Sequence, residues 1–146
     1  MVERAATGQS SVLVCSWARP VVVLGYGQPP EDVDLQWCRS SGIPVLRRIT
    51  GGTGVVHHRD LCVSLALPAS HPWAKGITQL YERFLEVLEP ALNAAGGEVA
   101  RMPNPERAAR ERSPICFEDR TSDTLLSDGR KVVGCAQTRR SGAVLI

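Results

Sequence analysis

The chain has 146 residues, 43% of them hydrophobic, and a formal net charge of +2. That length suits one domain able to bury roughly 70% of its unfolded surface, and the near-balanced charge, with arginines dispersed among acids, argues against a nucleic-acid surface. No run approaches the roughly 20 apolar residues of a membrane span, so no membrane partner is expected. Cysteines stand at Cys15, Cys38, Cys62, Cys116 and Cys135. An odd number with no C-x-x-C pair implies neither a disulfide framework nor a zinc ribbon, and the cytoplasm is the simplest setting.

In chain order, residues 11–17 and 21–24 are short runs rich in Val and Leu, parted by Arg19-Pro20, and they predict two strands or one interrupted strand. Pro29-Pro30 force a loop, and residues 32–39 predict a short helix. Residues 43–48 and 54–58 predict strands flanking a glycine turn, and residues 61–67 another strand. From Pro72 the period changes: Ile77, Leu80, Tyr81, Phe84, Leu85, Leu88 and Leu92 follow the i, i+3, i+4, i+7 spacing of an amphipathic helix with a core-facing stripe. Pro90 is expected to kink or split that helix, and Gly96-Gly97 to end it. Residues 101–114, RMPNPERAARERSP, combine three prolines with dense charge and predict an exposed loop able to move over a site. Residues 125–127 and 131–138 predict a hairpin about Asp128-Gly129, and residues 143–146 a further strand. These elements add up to an α+β domain, a mostly antiparallel mixed sheet with helices packed on it.

Two stretches carry chemistry. Residues 47–58, RRITGGTGVVHH, set adjacent arginines and a glycine turn between strand-like segments. Gly51, Gly52 and Gly54 let backbone N–H groups approach a ligand, and Arg47 and Arg48 bring charge that does not titrate, so the stretch suits a bound anion or carbonyl. The second is DGRKVVGCAQTRR, with Lys131 just after the hairpin signal. Without context the arginines read as exposed strand charges and Lys131 as a solvent-facing lysine. His57 and His58 are neighbours on a strand and point to opposite faces, so at most one serves a given pocket. No metal is predicted.

These blocks resemble the biotin/lipoate protein ligase superfamily, and within it the lipoate-protein ligases and the cysteine-dependent octanoyltransferases. That family carries Arg-Arg-x-Ser/Thr-Gly-Gly-x-x-Val-x-His followed by Gly-x-Lys-x-x-Gly-x-Ala. The first block is matched by Arg47, Arg48, Thr50, Gly51, Gly52, Val55 and His57, and the second by Gly129, Lys131, Gly134 and Ala136. The run VVVLGYGQ, residues 21–28, also fits. The resemblance implies a fold like class II aminoacyl-tRNA synthetases and biotin synthetases. It also implies one catalytic domain over residues 1–146, expected to be truncated: family members commonly begin with a helix before the first strand and continue past the last, whereas this chain opens almost at its first strand and stops at Ile146.

By resemblance, Cys116, in a Cys-Phe pair fifteen residues ahead of Lys131, is the nucleophile, and Lys131 polarises the acyl carbonyl. A thiolate suits this task because thioester exchange is nearly isoenergetic and the product stays activated toward an amine. Substrate is expected at Arg48, Gly51, Gly52, Thr53, Gly54, Val55, Val56, His57, Lys131, Gly134 and Ala136. His57 matches the family histidine in a packing or hydrogen-bonding role, whereas His58 stands where the family shows aspartate and Thr53 replaces a third glycine. The bland alternative for Cys116 is a buried structural cysteine.

Three functions remain open at this point. An octanoyl- or lipoyltransferase needs no cofactor. Its donor would be an acyl carrier protein or an octanoylated or lipoylated protein. Its acceptor would be a lipoyl domain, such as glycine cleavage H protein or the acyltransferase subunit of a 2-oxoacid dehydrogenase. A lipoate-protein ligase would use ATP and Mg2+, with Arg48 on a phosphate and residues 53–56 around the nucleotide. The third is a non-catalytic acyl- or partner-binding domain.

Overall fold

The computed structural model describes residues 1–102, 113–118 and 124–146. Strand β2, Val21–Leu24, is buried at all four positions, the pattern of a strand covered on both faces. It lies between β3, Val45–Arg47, and β4, Val55–His57. β3 runs parallel to it, pairing Val22 with Val45 and Leu24 with Arg47, while β4 runs antiparallel, pairing Val21 with His57 and Val23 with Val55. A parallel pair needs a crossover. Here a 3-10 turn at Pro30–Asp32 and helix α2, Leu35–Ser40, supply it, the helix capped by Asp34 accepting from the Trp37 N–H at 2.8 Å. Because β3 and β4 flank β2 on opposite sides, the glycine stretch between them is not a hairpin. It passes around the end of β2, above Gly25.

A second sheet has the order β1-β5-β10-β9, formed by β1 (Ser11–Ser16), β5 (Leu61–Pro68), β10 (Ala143–Leu145) and β9 (Thr138–Arg140), all antiparallel. β1 pairs with β5 from Ser11 opposite Ala66 to Ser16 opposite Leu61. β1 and β2 thus belong to different sheets, which resolves the choice between two strands and one interrupted strand. A third sheet, β6 (Ala100–Arg101), β7 (Leu125–Ser127) and β8 (Arg130–Val133), contains the Asp128-Gly129 hairpin, whose φ angles of +48° and +72° suit a primed two-residue turn.

Helix α3, Ile77–Ala94, closes the second sheet. Leu80 packs with Leu67, Ala74, Val144 and Ile146, and partly buried Tyr81 and Phe84 join them; each such apolar side chain contributes roughly 1.5–3 kcal/mol on burial. The stripe is narrower than its spacing predicts, since Ile77 is 61% exposed. Pro90 sits inside an unbroken helix. The helix ends where Gly96 takes φ +91° and the Gly97 N–H reaches Leu92 O at 2.9 Å, a left-handed C-terminal cap.

Three expectations change. The residues before β1 hold a short helix, α1, Val2–Ala6, whose fully buried Ala5 packs on Ala66 and Ala143. The strand expected at 131–138 is two: β8 stops at Val133, and Thr138 begins β9 in another sheet. Arg101 lies in β6 instead of a loop, and residues 103–112 of the expected loop fall outside the described residues. Among the described residues no helix is long and apolar enough to cross a membrane.

Candidate active site

The turn after β3 is built by its own arginines. Arg48 donates from Nε to Thr50 Oγ1 at 2.9 Å, from Nη1 to Val23 O at 3.3 Å, and from Nη2 to Gly51 O and Thr53 O at 2.7 and 2.8 Å. Those bonds occupy four of the five donors a guanidinium offers. Arg48 therefore shapes the glycine turn from beneath, and a phosphate would have to compete with the Gly51 and Thr53 carbonyls for it. Arg47 donates through Nη1 to Gly25 O, Tyr26 O and Gln28 O at 2.6, 3.0 and 2.6 Å, fastening the loop after β2. Gly52 needs its φ of +86°, and a Cβ on Gly25 would stand 1.8 Å from Gly52 O, so these two positions exclude any side chain.

The turn holds the cysteine through backbone bonds. Gly54 N–H donates to Pro114 O at 2.9 Å and Gly54 O accepts from the Cys116 N–H at 2.8 Å, a parallel bridge between Gly54 and Ile115. Buried Gln28 closes the same joint. Its Oε1 accepts from the Gly25 N–H at 3.2 Å, and its Nε2 donates to Pro114 O at 3.0 Å and to Asp32 Oδ2 at 2.9 Å. A side chain at Gly54 would be crowded, since its Cβ would meet Pro114 O at 3.1 Å and Gln28 Oε1 at 3.3 Å, and the joint would have to give by a few tenths of an ångström.

Lys131 comes from β8, where the β7–β8 register shifts between Leu125 and Leu126, the kind of bulge that re-aims a side chain. Its Nζ donates to Cys116 O at 2.9 Å, lies 3.9 Å from Cys116 Sγ, and sits 5.7 Å from the centroid of the Phe117 ring, within cation–π range. A Cβ on Gly134 would lie 3.5 Å from Cys116 Sγ and 3.2 Å from Lys131 Cε. The missing side chain leaves the space beside the sulfur open. Burial draws the Arg48 guanidinium below its ordinary pKa while nearby Cys116 acts in the opposite sense; arginine stays charged under either influence.

The structure thus gathers Cys116, Lys131, Gly134, Gly54, Gly51, Thr53 and Arg48 around one joint. It leaves others apart. Val55 is spent on the ladder with β2, and Val56 is 57% exposed. Ala136 lies half-buried beyond β8. His57, at the far end of β4, turns Nδ1 to Asp60 Oδ2 at 2.5 Å and stacks on Trp17. A cavity of about 420 Å³ lies behind β2 and β3, lined by Leu24, Leu35, Cys38, Ile43 and Arg47 among others, and Cys116 does not border it. Gly25 and Gln28 are the site residues that reasoning on chemistry alone overlooks. Their signal is a Gly-x-Gly-Gln run directly after an uninterrupted apolar strand, where a buried amide must find several partners.

The profile of the lipoyl protein ligase A/B catalytic domain matches residues 1–146. Octanoyltransferase LipM of Clostridioides difficile is 35% identical over 133 residues, 89% of this chain and 49% of that protein. The chain spans about half the length of the curated relatives it matches. Among solved structures, protein Ta0514 of T. acidophilum with bound lipoic acid superposes with a TM-score of 0.74 at 23% identity, covering 94% of this chain and 53% of that one. A lipoate-protein ligase A bound with ATP superposes at 0.72 and 24% identity, covering 94% and 51%.

Proposed function

Because the chain belongs to the lipoyl protein ligase A/B catalytic-domain family, we propose that it carries an acyl-transfer centre of protein lipoylation working through an acyl-cysteine. The Cys116 sulfur, as thiolate, attacks the carbonyl carbon of an octanoyl or lipoyl thioester. The C–S bond to the donor breaks as the new one forms, and the donor leaves as a thiol. A lysine amine of a lipoyl domain then attacks the Cys116 thioester, its proton is lost, an amide forms and Cys116 is regenerated. Lys131 and the turn amides at 51–53 stabilise the oxygen that becomes negative in each tetrahedral intermediate.

The observation that carries this reading is the approach of Lys131 Nζ to Cys116 Sγ at 3.9 Å beside side-chain-free Gly134. An ammonium there meets the carbonyl oxygen of anything bonded to the sulfur. The donor is an acyl carrier protein or another acylated protein, and the acceptor a lipoyl domain such as that of glycine cleavage H protein or a 2-oxoacid dehydrogenase acyltransferase. The chemistry consumes no cofactor and requires a reduced thiol, which fits the cytoplasm.

Intact mass spectrometry after incubation with octanoyl carrier protein tests the reading. An octanoyl adduct mapped to Cys116 and discharged by a lipoyl domain is expected. ATP-dependent lipoylation that persists in Cys116→Ser would replace it with the ligase reading, and bound octanoate without turnover would leave a binding domain.

A further inference from the structure

Among the described residues one group of metal-ligating side chains comes together away from Cys116. His57, Asp60 and Cys62 place a ligand atom each within 4.8 Å of one another. The connection from β4 to β5 makes the group. Arg59 takes a left-handed φ of +59°, so the chain reverses within three residues of His57 and returns Asp60 and Cys62 toward the same ring.

The two separations to Cys62 are close to those a bound ion imposes. His57 Nδ1 and Asp60 Oδ2 are 2.5 Å apart, and Cys62 Sγ lies 3.8 Å from the first and 4.0 Å from the second. Zinc bonds of about 2.3 Å to sulfur and about 2.0–2.1 Å to nitrogen and oxygen, at tetrahedral angles, set ligand atoms about 3.4–3.6 Å apart. Cys62 is within about half an ångström of that spacing, and His57 and Asp60 part by about 1 Å to admit the ion.

Three further observations point to a ligand. Asp60 Oδ1, the carboxylate oxygen not bonded to His57, is shielded from solvent and has no hydrogen-bond partner among the described residues, a condition that a cation reached by both carboxylate oxygens relieves. Cys15, exposed, stands directly opposite Cys62 in the β1–β5 ladder, so its side chain leaves the same face and can swing in as a fourth donor from outside the three-residue group. Trp17 donates from Nε1 to Cys62 Sγ at 3.2 Å and stacks on His57 with centroids 4.9 Å apart, fixing two ligands at once as the outer partners of metal sites do.

We propose that His57, Asp60 and Cys62, with Cys15 across the ladder, form a tetrahedral Zn2+ site that ties β4 of one sheet to β1 and β5 of the other. Thiolate, imidazole and one carboxylate make a borderline-soft set, which selects zinc over magnesium or calcium. Binding releases the thiol protons of the coordinating cysteines to solvent and replaces the hydrogen bond between His57 and Asp60. The ion acts as a cross-link between sheets, separate from acyl transfer.

The test uses the full chain, reduced and stripped with a chelator, then titrated with Co2+ and with Zn2+ against a chromogenic chelator. One equivalent of Zn2+ is expected. Co2+ should give visible d–d bands and a near-ultraviolet thiolate charge-transfer band, both displaced by Zn2+, and Zn2+ should raise the thermal midpoint. Cys62→Ser should weaken the charge-transfer band and the Cys15→Ser/Cys62→Ser double variant should lose it, Asp60→Asn should bind more weakly by at least the roughly tenfold typical of an outer partner, and Cys116→Ser should keep both signals. The proposal is overturned if the wild-type chain takes up no stoichiometric metal, if it forms a Cys15–Cys62 disulfide instead under reducing conditions, or if the charge-transfer band persists undiminished in the Cys15→Ser/Cys62→Ser double variant.

Discussion

Cys116 lies 3.9 Å from the Lys131 ammonium with Arg48 in electrostatic reach, whereas Cys62 lies 4.0 Å from an Asp60 carboxylate oxygen and opposite a second thiol, Cys15. Burial pushes the Cys62 thiol above its ordinary pKa range. The Trp17 N–H acts against that shift, and the Asp60 and Cys15 charges add to it. The same side chain is thus set among cations in one region and among anions in the other. Cations suit chemistry on a carbonyl that turns negative, while clustered anions suit a positive ion. The two regions are also assembled differently: the first from backbone bonds between segments about sixty residues apart, the second from one tight turn and one ladder.

The sharpest way to break the comparison is Cys116→Ser, which should abolish the octanoyl adduct in intact mass spectra; an undiminished adduct would move the nucleophile elsewhere. Lys131→Met removes the cation but keeps the thiol, and single-turnover acylation should slow by roughly 10²–10³, the usual cost of losing one donor to a developing oxyanion. A loss below threefold would make that lysine a bystander.

Gln28→Leu addresses the joint instead of the chemistry. Among the described residues it leaves the Gly25 N–H without its acceptor and Pro114 O with Gly54 alone as donor. Leaving buried polar groups unpaired costs ~1–3 kcal/mol, so the thermal midpoint should fall and acylation slow by about tenfold, since 1.4 kcal/mol is a factor of ten. Stability lost with no change in the acylation rate would show that the pinned loop does not position the nucleophile.

The smallest effect belongs to the anionic region. In the metal-free protein, mass-mapped alkylation of Cys62 should trail that of an unstructured thiol at neutral pH and catch up only in alkali. The sign for stability follows from the raised pKa. The folded state holds its proton longer than the unfolded chain, so this contribution is complete below the ordinary thiol range of about 8.5 and is lost as pH rises through the folded value. Thermal melts of wild type and Cys62→Ser above pH 8 should converge if this is right and stay parallel if Cys62 has no share in the alkaline loss.

Much of the reactive joint is legible along the chain because its demands are local. Gly52 is required by its own φ and the hairpin by Asp128-Gly129, while it is the family resemblance that groups Cys116, Lys131 and Gly134. Less is legible where one residue answers to a distant one. Arg48, read as a hand for phosphate, spends its donors on Val23, Thr50, Gly51 and Thr53, and no pattern within RRITGG says which carbonyls will turn inward. Strand alternation separates His57 from His58 only on a continuous strand, but β4 ends at His57 and the rule is silent about a chain that doubles back at Arg59.

Periodicity, glycine placement and turn chemistry determined on their own that this is an α+β domain with a long helix and a late hairpin. Those properties depend on neighbours within a few residues or on residue type. Which strands share a sheet, that the glycine stretch rounds the end of β2, that Gln28 pins Pro114, and that Cys15 faces Cys62 were decided only by the tertiary structure. Each depends on hydrogen-bond partners far along the chain, and any backbone N–H or carbonyl offers the same donor or acceptor until packing selects its mate.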